Sequence, residues 1–92
     1  MNVFSERGIT HLDLHGVKHI DAKEEVIDFV YQYQDSIPLM IICGNSNRMI
    51  KIVESSLIDN SIMFSQPRFG IIRVEKLWQT KTFYFLISSL LM

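Results

Sequence analysis

The feature that most restricts the fold lies between residues 9 and 43, where an alternating segment, a helical stripe and an apolar run follow one another. Ile9, His11 and Asp13 fall on one side of an extended segment over 9–14, and Thr10, Leu12 and Leu14 on the other. This period-two pattern is that of a half-buried strand, and Gly16 ends it. Ala22, Val26, Phe29, Val30 and Tyr33 then recur at helical spacing and define one inward stripe. Asp21, with Glu24 three residues on, predicts the helix start as a capping-box-like pair. The acidic Glu24, Glu25 and Asp28 lie off the stripe and early in the helix, where its dipole favours them. Asp35-Ser36-Ile37-Pro38 is turn chemistry. Leu39 to Cys43 is a continuous apolar run before a glycine, which reads as a strand buried on both faces. Strand, helix and strand in this order imply a right-handed parallel crossover.

Downstream, Gly44-Asn45-Ser46-Asn47 reads as a loop in which Ser46 or Asn47 caps a helix over about 48–58. Met49 or Ile50, Val53 and Leu57 would face inward. Asp59-Asn60 stops this helix, with Asn60 in the left-handed position that follows a helix end. Ile62 to Ser65 forms a third strand, Gln66-Pro67-Arg68 turns the chain, and Phe69 or Gly70 to Leu77 forms a fourth. The expected domain, over 1–77, is an α/β two-layer β-α-β-α-β-β sandwich, with two helices on a four-stranded mixed sheet.

Residues 78–92 form an apolar C-terminal extension, in which the ten residues from Phe83 to Met92 carry no charge. A membrane-spanning helix needs roughly 20 residues, so this stretch is too short. It is expected to pack on the domain or on a second copy, which makes self-association one expected partnership.

The balance of 48% hydrophobic and 21% charged residues excludes a disordered chain. Cys43 is the single cysteine, so no internal disulfide forms, which suits a reducing compartment. Residues 1–8 contain no apolar run of the signal-peptide kind, and a cytoplasmic location is expected. A net charge of −1 removes any global electrostatic case for nucleic-acid binding. The charge is polarised, however. Asp21, Glu24, Glu25, Asp28 and Asp35 face only Lys23, whereas Arg48, Lys51, Arg68, Arg73, Lys76 and Lys81 outnumber Glu54, Asp59 and Glu75 further on.

Two elements carry chemistry. His11, Asp13 and His15 alternate along one strand, and His19 follows. Imidazole and carboxylate are metal-ligand types, so a divalent metal ion is the one cofactor these residues admit. A plain polar strand end is the competing reading. Asp13 can also orient a histidine or activate a water, and imidazoles as a class move protons near neutral pH. The second element is the Gly44–Asn47 loop. Between a strand and a helix N-terminus, unpaired amides and the helix dipole favour an anion such as phosphate, and Arg48 and Lys51 add charge. A simple capped loop is the alternative there. Parallel strands end on one edge of a sheet, so Asp13, His15 and Gly44–Arg48 should converge. Cys43, at the lip, reads as a small hydrophobe before it reads as a nucleophile.

Leu12-Asp13-Leu14-His15-Gly16 resembles the Leu-Asp-x-His-Gly signature of the Smr (small MutS-related) domain. Ile41-Ile42-Cys43-Gly44-Asn45-Ser46 stands where that family has an apolar strand ending in His-Gly-x-Gly before a helix. Gly70 to Leu77 resembles its last landmark, a glycine followed by a strand ending in leucine. The likeness covers about residues 9–77. It implies an α/β fold similar to the C-terminal domain of a bacterial translation initiation factor, and binding to DNA or RNA. It also implies a nicking or RNA-cleaving endonuclease, with Asp13 and His15 as catalytic residues. Gly44, Asn45 and Ser46 would hold a backbone phosphate, with Arg48, Lys51 and Arg73 as screening charges. The sequence has Cys43 in place of the family histidine, Asn45 in place of a basic residue and Ser46 in place of the second glycine. These departures weaken the phosphate loop, and a non-catalytic nucleic-acid or protein interaction module is the alternative expectation.

Overall fold

A computed structural model describes residues 2–77, so the expectations for 78–92 lie outside the described residues. The elements are β1 (Asn2–Glu6), β2 (Ile9–Asp13), α1 (His19–Gln32), a short 3-10 turn (Gln34–Ser36), β3 (Leu39–Ile42), α2 (Asn47–Asp59), β4 (Ile62–Arg68) and β5 (Ile71–Leu77). The strands form one mixed sheet in the order β1-β2-β3-β5-β4. The α/β class is as expected, but the sheet has five strands rather than four.

The additional strand is β1, which pairs antiparallel with β2 from Asn2 opposite Asp13 to Glu6 opposite Ile9. A two-residue turn closes this hairpin, with left-handed backbone at both Arg7 (φ 51°) and Gly8 (φ 80°). That geometry follows the right-handed twist of the flanking strands. As an edge strand with exposed side chains apart from half-buried Val3, β1 has no apolar run to announce it.

β2 and β3 run parallel, and β5 is antiparallel to both β3 and β4. The steps from β2 to β3 and from β3 to β4 advance in the same direction along the sheet. Right-handed crossovers therefore lay α1 and α2 on one face, side by side. The core lies beneath them. Ala22, Val26, Phe29 and Val30 of α1 and Met49, Ile50, Val53 and Leu57 of α2 close over Leu12, Leu39, Ile41, Ile72 and Val74. β3 is consequently buried on one face only, because Met40 and Ile42 are half-exposed on the side without helices.

Several boundaries differ from expectation for physical reasons. α1 begins at His19, before the Asp21–Glu24 pair, and Lys18 caps it with no side-chain hydrogen bond. Asn60 keeps an ordinary φ of −106°, and it is Ser61 that takes the left-handed conformation (φ 56°). Gln66-Pro67-Arg68 belongs to β4 rather than to a turn. Pro67 is tolerated because β4 is an edge strand, and the register shifts between Ser65 and Arg68. Among the described residues no helix is long and apolar enough to cross a membrane.

Candidate functional site

Three connections meet at one edge of the sheet. β2 ends at Asp13 opposite Ile42, the last residue of β3. The Leu14 N–H extends this pairing by donating to the Ile42 carbonyl at 3.0 Å. β5 begins at Ile71, also opposite Ile42, so the Phe69-Gly70 turn reaches the same edge from the other side. There the Cys43 N–H donates to the Gly70 carbonyl at 2.7 Å. The backbones approach so closely that a Cβ on Gly70 would overlap the Gly44 carbonyl oxygen. Gly70 also has φ +83°, which L side chains rarely adopt. The loop after β3 is therefore seated on the β4–β5 turn.

The first motif occupies the loop after β2. The Asp13 carboxylate accepts a hydrogen bond from the His15 backbone N–H at 2.9 Å, which folds the chain back toward exposed Gly16. Asp13 is half-buried and His15 exposed. Among the described residues, no hydrogen bond joins the Asp13 carboxylate to the His15 imidazole. His11 is turned to another use. It lies on the sheet face without helices, donates from Nδ1 to the Ile9 carbonyl at 2.9 Å, and stacks on Phe4 with centroids 4.9 Å apart. His19 opens α1 and is exposed. No group of three or more His, Cys, Asp or Glu among the described residues is arranged to hold a metal ion. His11 and His19 thus do not gather with Asp13 and His15 into a set of three or more protein ligands.

The second motif heads α2. The Ser46 hydroxyl accepts the Met49 N–H at 3.1 Å and caps the helix. Gly44, with φ +74°, and Asn45 are exposed in front of it. The other first-turn amides have no partner within the helix. The first turn of α2 contains no acidic residue, and it carries exposed Arg48, with Lys51 one turn on. Cys43 is 8% exposed at the base of this loop. Burial, reinforced by the Glu54 charge, pushes its thiol up to about 11, so it stays protonated and non-nucleophilic at neutral pH.

Asp13, His15, Gly44, Asn45, Ser46, Arg48 and Lys51 therefore belong to connections that share one edge. Arg73 stands apart. It lies opposite Met40 on the open face of the sheet, two register pairs inward from the edge, and its guanidinium pairs with Glu75 at 3.4 Å. Two residues of the edge escaped the sequence reading. Phe69, 57% exposed, forms the turn with Gly70, and Arg68 ends β4 opposite Ile71. Gly70 between two strand-like runs was the available signal, but Pro67 drew the expected turn three residues too early. Compared with known protein families, curated proteins and solved structures, the chain matches none.

Proposed function

We propose that this chain is a nucleic-acid-binding domain of the Smr type that takes a backbone phosphate at the edge where β2 and β3 end. The convergence of the Asp13–His15 turn with the Gly44–Ser46 loop carries the proposal. That loop opens a capped helix N-terminus bearing Arg48 and Lys51, an arrangement that favours an anion through both amides and charge. In the catalytic form of the proposal the bound strand is cleaved. Asp13 takes the proton of a water that attacks phosphorus, the bond to the leaving sugar oxygen breaks, and His15 supplies a proton to that oxygen.

Asp13 has a structural duty as well, so the test must separate the two. Asp13→Asn keeps an oxygen acceptor for the His15 N–H and removes the base. Nicking of supercoiled plasmid and cleavage of structured RNA should fall about 100-fold or more in Asp13→Asn, with an unchanged melting temperature. Equal cleavage by both proteins, or none by either, removes the catalytic step.

One observation favours a second reading, a non-catalytic binding module. The Asp13 carboxylate is spent on a backbone N–H and does not orient the His15 imidazole. The signature of this reading is binding that survives Asp13→Ala and weakens linearly in log salt, as phosphate contacts release counterions.

A further inference from the structure

The two helices begin at the same edge, because α1 follows β2 and α2 follows the parallel β3. Between them runs an open groove of about 510 Å³, lined by Lys23, Asn47, Arg48, Lys51, Ile52 and Ser55. Three of the six are cations and none is acidic. Arg48 and Lys51 have no ion-pair partner among the described residues. Lys23 bridges Asp59 at 3.1 Å, but both side chains are more than half exposed, so water screens the pair and a phosphate can compete for the ammonium.

The placement of these cations runs against local helix energetics. A helix N-terminus favours acidic residues, and α1 follows that rule with Asp21 in its first turn. α2 has none, and carries Arg48 and Lys51 in its first turns instead. Local choices that oppose their own element are expected where a ligand supplies the compensating charge.

We infer that the α1–α2 groove is a second phosphate-binding site, which receives the backbone continuing from the strand held at the Gly44–Ser46 loop. This rests on the nucleic-acid reading and extends it from one phosphate to a track. From Arg48 to Ser55 the groove follows seven residues of helix, about 10 Å, the length of two or three successive nucleotides. Lys23, from the acidic half of the chain, is the residue that composition alone hides.

The test measures binding by fluorescence anisotropy against 20-nucleotide single-stranded and duplex DNA and RNA, each over a salt series. Lys23→Gln with Lys51→Gln is compared with wild type and with Arg7→Asn, which removes one cation from the turn at the opposite edge of the sheet. Circular dichroism melting checks that each variant is folded. The double variant should lower the slope of log affinity against log salt by about 1.5, since each phosphate contact contributes about 0.7 to 0.9. Arg7→Asn should leave the slope at its wild-type value. The nucleic acid that shows the largest loss identifies the form the groove accepts. A slope lowered by only about 0.8, the share of Lys51 at the loop edge, overturns the groove and leaves the loop-edge reading standing, and an unchanged slope overturns the groove and removes Lys51 from the loop edge as well. No wild-type binding to any of the four overturns both.

Discussion

Two glycines at the site edge have similar backbone angles and different surroundings. Gly44 (φ +74°) has nothing within 4 Å of where a Cβ would stand, whereas a Cβ on Gly70 (φ +83°) would overlap Gly44's carbonyl. Gly44→Ala therefore meets only the left-handed backbone penalty, about 1–2 kcal/mol. Gly70→Ala adds a backbone collision that no rotamer relieves, and it should cost at least about 1 kcal/mol more. Denaturant titration of the two variants checks the ranking, and equal losses would mean that the two turns are not in contact.

At the scale of the element, α2 is the best-specified piece. Ser46 caps it through the Met49 N–H, so Ser46→Ala should cost about 1 kcal/mol and Ser46→Gly only a few tenths, read from thermal melts. This helix was legible because cap, apolar stripe and stop signal agree along the sequence. α1 was legible in its stripe and not in its start, since Lys18 offers no capping side chain and Asp21 already lies inside the helix. β1 was illegible because an edge strand needs little apolar burial. β4 was read short because proline normally breaks a ladder, which it does not do on an outer edge. The meeting of the loops after β2 and β3 followed from the crossover rule. The β4–β5 turn joined them through a register that no local pattern carries, and Lys23 joined Arg48 and Lys51 through helix packing. Arg73 was legible as a cation, but its side of the strand and its Glu75 partner were not.

For the whole molecule, the buried thiol ties stability to pH. Burial raises Cys43 from an ordinary 9.0 to about 11, so the unfolded chain gives up this proton at lower pH than the folded one. The stabilisation is complete below about pH 9 and is lost as pH rises toward 11, a swing of about 2–3 kcal/mol. Urea unfolding followed from pH 8 to 11 should show this alkaline loss in the wild type and a shallower one in Cys43→Ala. Matching pH profiles would assign the loss to other groups.

The bond from the Cys43 N–H to the Gly70 carbonyl also has a consequence for how the protein is made. Both halves of the candidate motif have left the ribosome once residue 46 has emerged, yet the seat of the second loop is supplied by a turn 24 residues later, at Gly70. A nascent chain at that stage holds the residues of the site without its shape. The edge is thereby completed only when the last hairpin has closed, so under the proposed reading a partly synthesised copy would lack the shape that binds.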